Sequence, residues 1–164
     1  MKLQLIGLSI GLGSALGCSS SIGESPVRGE PLGGDVTGSY GSTGFSPKYG
    51  VAIASSAPEQ AELELQLGEA ALNCDRYLAS GALNPFGLFA RIYLKTAQPG
   101  AYPNSFVEFD QLTDSHTTQL GAPSGNLTVS AIDATHLEGS IVFQETVSDV
   151  AVALNGSFQI TRCQ

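Results

Sequence analysis

The sequence predicts an all-β domain: a single β-sandwich or open barrel of about seven or eight strands, with one short helical turn and a flexible N-terminal tether. Two segments carry most of that expectation. Ala61-Glu62-Leu63-Glu64-Leu65-Gln66-Leu67 alternates strictly between apolar and polar residues, the period of a half-buried strand. Phe86 to Lys95 alternates again, with Phe86, Leu88, Ala90, Ile92 and Leu94 on one face and Phe89, Arg91, Tyr93 and Lys95 on the other. The third observation is spacing: from residue 48 to the end, short apolar runs are separated by turn-forming clusters at regular intervals.

The domain predicted over residues 48–164 begins with the short apolar strand Val51-Ala52-Ile53-Ala54, followed by the breaker Pro58. Local propensity and periodicity then conflict. Ser56-Ala57-Pro58-Glu59 has the form of a capping box, and Ala, Glu, Leu and Gln favour helix. A helix would scatter Leu63, Leu65 and Leu67 around its circumference, whereas a strand gathers them on one face, so periodicity decides for the strand. Glu69 to Ser80 is the predicted helical turn, with Gly81 as its C-cap. Pro99-Gly100-Ala101-Tyr102-Pro103 is a turn cluster. Strands are expected at 105–109, 117–120, 127–132, 136–144 and 150–162, the last bent or bulged at Gly156.

Residues 18–47 read as the tether. Ser19-Ser20-Ser21, Pro26, Pro31, Gly33-Gly34, Gly38, Gly41 and Gly44 offer many breakers and little to bury. Tyr40, Phe45 and Tyr49 are more aromatic than a spacer needs, so the end of this stretch is expected either to pack on the domain as an edge strand or to offer a sticky surface. Residues 1–17 read as an export signal: a basic Lys2, an apolar run from Leu3 to Leu16 and a small residue before a cut at Gly17–Cys18. The run is short of the ~20 residues a membrane-spanning helix needs. Ordinary secretory cleavage would cut the same bond and leave a free thiol.

Ala15-Leu16-Gly17-Cys18 resembles the lipobox of bacterial lipoproteins. It departs from the common pattern in placing Ala15, not leucine, third before the cysteine. The resemblance implies that Cys18 becomes the N-terminus and is acylated. Acyl chains such as palmitate would then anchor the protein in the cell envelope, since two or more chains bind a membrane durably. Ser19 stands where aspartate would resemble an inner-membrane retention signal, which favours the outer membrane, with the domain facing the periplasm or beyond. Cysteine arithmetic agrees. Three cysteines leave one over in an oxidising compartment, and acylation of Cys18 leaves Cys74 and Cys163 as a disulfide pair. The final third, Gly125-Asn126-Leu127-Thr128-Val129, His136-Leu137-Glu138-Gly139-Ser140-Ile141 and Leu154-Asn155-Gly156-Ser157-Phe158 with Cys163, is similar to the C-terminal halves of uncharacterised lipoproteins of Gram-negative bacteria, myxobacteria among them. That resemblance implies a β-sandwich-like domain and no known activity.

A net charge of −8 with only seven Lys and Arg residues argues against nucleic acid and anionic lipid surfaces as partners. No cofactor motif is present, and no DxDxDG calcium loop. Asp133, His136 and Glu138 lie close in sequence but are one ligand short of a structural zinc site, so no metal is expected. Asp110, Asp114 and His116 lack a nucleophile elbow. Glu62, Glu64, Glu108, Asp110 and Glu145 could supply a glycosidase carboxylate pair, but Glu62 and Glu64 fall on a strand's outward face, where solvated charge is the ordinary explanation. The expectation is therefore a non-enzymatic envelope lipoprotein with a structural or interaction role and an envelope protein or glycan as partner. The alternative is a module holding a hydrophobic or glycan ligand between its sheets, suggested by Phe86, Phe89, Tyr93, Phe106 and Phe109; an envelope hydrolase ranks last.

Overall fold

A computed structural model describes residues 28–55, 61–80, 87–113 and 117–164. Ten strands form one sheet: β1 (Gly33–Gly34), β2 (Thr37–Tyr40), β3 (Thr43–Phe45), β4 (Tyr49–Ala54), β5 (Leu63–Gly68), β6 (Gly87–Leu94), β7 (Gly100–Leu112), β8 (Thr117–Ile132), β9 (His136–Val147) and β10 (Val150–Arg162). Among the described residues a single short helix, α1 (Cys74–Ser80), lies between β5 and β6. From β4 to β10 each strand pairs antiparallel with the next, and β10 returns to β4 in parallel through Thr161–Val51 and Arg162–Ala52. The result is a closed seven-stranded barrel with three extra strands, so the expected all-β class holds and, of the sandwich and open barrel that the strand pattern allows, it is the barrel that forms, closed.

Alternation fills the interior. Leu65 and Leu67, Ala90, Ile92 and Leu94, Val107 and Phe109, Leu127, Ile141, Phe143, Leu154 and Ile160 all turn inward and are buried. Phe45 meets Phe109 edge-on with ring centroids 5.4 Å apart, and Phe109 stacks on Phe143 at 6.5 Å. Periodicity did decide at β5, where Leu63, Leu65 and Leu67 share the core; the capping-box residues 56–60 lie outside the described residues.

The structure corrects four expectations. Residues 28–47, read as the last part of the tether, complete the wall, and around Tyr40 and Phe45 they do so as the paired strands that the aromatic residues there allowed. Glu30 and Leu32 exchange backbone hydrogen bonds with the start of β4, β1 pairs with β10 at Gln159 and Phe158, and the β2–β3 hairpin pairs with the other half of β10. The glycines that read as breakers here permit close approach. Gly156, at a φ of 132°, lies where a Cβ would sit 2.7 Å from the Cα of Val36, so Asp35 and Val36 can cross β10 at that point. Helix α1 starts at Cys74 and not at Glu69, because the Asn73 side chain caps it by accepting from the Arg76 N–H at 2.9 Å. The predicted turn at 99–103 is instead the start of β7, and the segments at 117–120 and 127–132 are one strand, β8. Gly81 and Phe86 lie outside the described residues.

Cys74 and Cys163 form the expected disulfide, with Cα atoms 5.1 Å apart. It joins the first residue of α1 to the residue after β10, at the parallel seam, where the Cys163 N–H also donates to the Ala52 carbonyl at 2.9 Å. Val51, Ile53, Leu72 and Tyr77 pack around it on the outer face of β4. The loop it closes spans 89 residues, and the chain-entropy argument gives such a staple about 4–5 kcal/mol. Replacing both cysteines by serine should therefore lower unfolding free energy by about 4 kcal/mol. A urea titration of oxidised wild type against the double variant measures this, and amide exchange should rise first along β4 and the end of β10.

Candidate functional site

The outer wall of β5, β6 and β7 carries the chain's main concentration of ionisable side chains. Register builds it. Arg91 stands directly between Gln66 on β5 and Glu108 on β7, Tyr93 pairs with Glu64, and Phe89 pairs with Asp110. The alternation that sends Ala90 and Ile92 inward sends Phe89, Arg91 and Tyr93 out, so one guanidinium comes within reach of three carboxylates. Arg91 Nε donates to Asp110 Oδ2 at 2.6 Å, and lies 3.8 Å from Glu108 Oε2 and 4.0 Å from Glu64 Oε1. The guanidinium carbon sits 5.6 Å from the centre of the Phe89 ring. Gln66 Nε2 donates to Glu64 Oε1 at 2.6 Å, and the Tyr93 hydroxyl donates to Glu108 Oε2 at 3.3 Å.

These groups are not solvated surface charge, as the outward alternation of β5 suggested. Glu64 is 3% exposed and Asp110 is fully buried. Burial pushes the Glu64 carboxyl above the ordinary carboxylate range. Burial also raises Glu108, and the neighbouring Asp110 charge adds to the effect. Tyr93 is pushed up to about 12, first by burial and then by the Glu64 charge. For Arg91 burial works against the charge, but the hydrogen bond and charge of Asp110, with Glu108, more than offset it and hold the guanidinium firmly protonated. Two acceptors, Gln66 Oε1 and Asp110 Oδ1, have no hydrogen-bond donor. Because the guanidinium reaches all three carboxylates, they do not flank open space in the manner of a glycosidase pair.

Further along the same face the wall becomes concave. Register shifts between Tyr102, Ser105 and Val107 bulge β7 away from β8, and Asn104 takes a φ of 60° there. The bulge opens a cavity of about 500 Å³ lined by Tyr93, Lys95, Tyr102, Asn104, Phe106 and Pro123, with Ala101, Pro103 and Ser105. Tyr93 and Phe106 form one wall as an edge-to-face pair with centroids 5.8 Å apart. Phe106 is 40% exposed, a large apolar side chain left open at this position.

A scan of protein-family models and searches of curated proteins and of solved structures return no match to this chain.

Most sequence-level candidates do not converge. Asp133 is occupied as a turn acceptor for the N–H groups of Thr135 and His136, His136 Nδ1 pairs with the Thr135 hydroxyl, and Glu138 accepts from Gln159. Among the described residues no group of His, Cys, Asp and Glu is placed to hold a metal ion. Asp114 and His116 lie outside the described residues, and Asp110 turns to Arg91. Glu62 accepts from the Ala97 N–H at 2.7 Å, while Glu145 sits on β9 opposite Val152. Of the aromatic set, Phe109 is core, Phe89 lies beneath Arg91, and Tyr93 and Phe106 line the cavity. Cys18 lies outside the described residues. Sequence reasoning missed Arg91, Lys95 and Tyr102; the signal for the first two was the alternation already noted, whose outward members all stand on this wall.

Removing the one cation from the cluster leaves three carboxylates facing one another. Arg91→Met should cost about 3 kcal/mol at neutral pH, read as a lower denaturation midpoint, and the cost should shrink in acid as Glu64 and Glu108, both raised, take up protons.

The carboxyl shifts also set a pH profile. Glu64 and Glu108 have folded values above the unfolded value of 4.5, so the folded state binds protons more readily and stability falls as pH rises from about 4.5 through the raised values. Asp35 and Asp133 are held low, by Ser157 and by the Thr135 and His136 amides respectively, and their contribution is lost as pH falls below 3.8. Thermal melts should thus peak on the mildly acidic side, and Glu64→Gln should flatten the decline toward neutrality while leaving the acid limb in place.

Proposed function

We propose that this protein is a lipid-anchored envelope lipoprotein whose barrel acts by recognition and not by catalysis, with the Tyr93–Tyr102–Phe106 cavity as its recognition site. The observation that carries the reading is the pairing of a filled interior with a concave outer wall. A ligand held between sheets has no room, since Phe45, Phe109 and Phe143 occupy the centre. The wall cavity falls within the 300–1,000 Å³ range of small-molecule sites and has their character, mostly apolar with a few polar groups. The ionisable cluster beside it is closed on itself through Arg91, which suits a structural network better than a reaction centre.

The anchor rests on the lipobox resemblance at Ala15–Cys18 and on the pairing of the other two cysteines with each other. No helix among the described residues is long and apolar enough to cross a membrane. The nine residues from Ser19 to Val27 can reach at most about 30 Å, so an acylated Cys18 would keep the barrel close to the bilayer that holds it. Ser19, in place of aspartate after the cysteine, favours the outer membrane.

Labelling cells with palmitate should mark the wild-type protein and not a Cys18→Ser variant, and that variant should leave the membrane fraction. Labelling that persists in the variant would overturn the anchor. In the same cells, a photoreactive side chain at Phe106 should give a defined adduct that the same group at Val142, on the outer face of β9, does not; equal adducts at both positions would overturn the cavity as the recognition site.

A further inference from the structure

The polar groups around the cavity select among ligands. Three hydroxyls belong to its lining, and all three are engaged within the protein. Tyr93 donates to Glu108 at 3.3 Å, Tyr102 to the Gln98 carbonyl at 2.5 Å, and Ser105 to the Tyr102 carbonyl at 2.9 Å. A sugar needs several donors and acceptors for its own hydroxyls, and here the three hydroxyl protons are already committed, leaving only oxygen lone pairs as acceptors. The rest of the lining is ring and proline surface with Asn104 and Lys95. Lys95 is the one charged residue of the lining, is exposed, and forms no ion pair among the described residues. In a chain of net charge −8, a lysine without a carboxylate partner at the rim of an apolar cavity is a specific feature.

Resting on the reading of the barrel as a recognition module, we propose that the cavity binds a single-chain amphiphile with an anionic head, its alkyl chain against Tyr93, Tyr102, Phe106 and Pro123 and its head on Lys95. The two parts of the site match the two parts of such a molecule: an apolar trough that supplies affinity by burial and one cation that fixes direction. The chain's net negative charge disfavours an anionic bilayer surface, so the ligand enters as a separate molecule. A free long-chain carboxylate and an anionic lysophospholipid share this chemistry.

The chain has no tryptophan, so Phe106→Trp places a single tryptophan, excited apart from the tyrosines, at the cavity. The full chain carrying Cys18→Ser and Phe106→Trp is titrated with oleate, oleoyl-lysophosphatidylglycerol, oleyl alcohol, chitohexaose and intact phosphatidylglycerol vesicles. Saturable blue-shifted emission with oleate or the lysophospholipid is expected, at one per chain. Lys95→Gln should weaken that binding about fivefold and leave the neutral alcohol unaffected; whichever of the two anionic probes binds identifies the source. Oleate binding that is indifferent to Lys95→Gln overturns the proposal, as does binding to vesicles alone. A response to chitohexaose and not to the amphiphiles overturns the ligand class and leaves the recognition reading standing, whereas silence with every probe overturns both.

Discussion

Between β10 and β4 only two residue pairs, Thr161–Val51 and Arg162–Ala52, close the barrel, and every interior contact depends on that closure. At about 1 kcal/mol net per hydrogen bond, so short a parallel ladder cannot hold the edges of a seven-stranded sheet together alone. Two devices reinforce it. The Cys74–Cys163 bridge fixes the end of β10 to the segment that packs over β4. Where β10 and β4 diverge, residues 30–36 bridge the gap. Glu30 and Leu32 bond to the β4 side, and Gly33, Gly34 and Asp35 bond to the β10 side. Asp35 Oδ1 accepts from both the N–H and the hydroxyl of Ser157, which locks the crossing in place. Exposed sheet edges are thereby covered by the chain's own N-terminal segment.

The same closure explains why charge is buried on an outer wall. In a narrow barrel the interior is fully taken by side chains, and polar residues alternate outward by necessity. On β5 to β7 that outward face is itself covered, so Glu64 and Asp110 lose water although they point away from the core. Arg91 makes the arrangement tenable: desolvating a carboxylate costs several kcal/mol unless a charged partner answers it. One arginine cannot fully answer three acids. The elevated Glu64 and Glu108 carboxyls and the two acceptors without donors are the residue of that imbalance.

Much of this architecture was legible in the sequence because period-2 alternation is a local signal. It assigned inward and outward faces to β5 and β6 correctly, and cysteine parity anticipated the disulfide. What stayed hidden depends on neighbours far apart in the chain. Closure is a property of pairing between residues 51–52 and 161–162, which no local pattern encodes. Gly33, Gly34 and Gly38 look like spacer residues, yet at Gly38 a Cβ would lie 2.2 Å from the Ala153 carbonyl, so the glycine is there for strand approach. Burial of Glu64 was likewise invisible, because alternation gives direction and not what lies on top. Tyr102 was concealed by its prolines: Pro99 and Pro103 read as a turn, whereas Pro103 sits in the irregular stretch of β7 where no ladder bond is lost.

That irregular stretch links fold to site. A regular β7 would pair with β8 along its whole length and leave a convex wall with no recess. The register slips on either side of Ser105 leave Pro103, Asn104 and Phe106 out of the ladder, and Pro123 on β8 stands opposite the break. Gly121 accommodates the change, since a Cβ there would lie 2.9 Å from the Phe106 ring, so glycine lets that ring lie against β8 and form one side of the recess. The cavity is therefore not a packing defect but the consequence of a bulge held by its own hydrogen bonds, Tyr102 to Gln98 and Ser105 to Tyr102. Those bonds commit the hydroxyl protons that would otherwise be offered to a polar ligand. The geometry that creates the recess also leaves Lys95 as its one uncommitted charge.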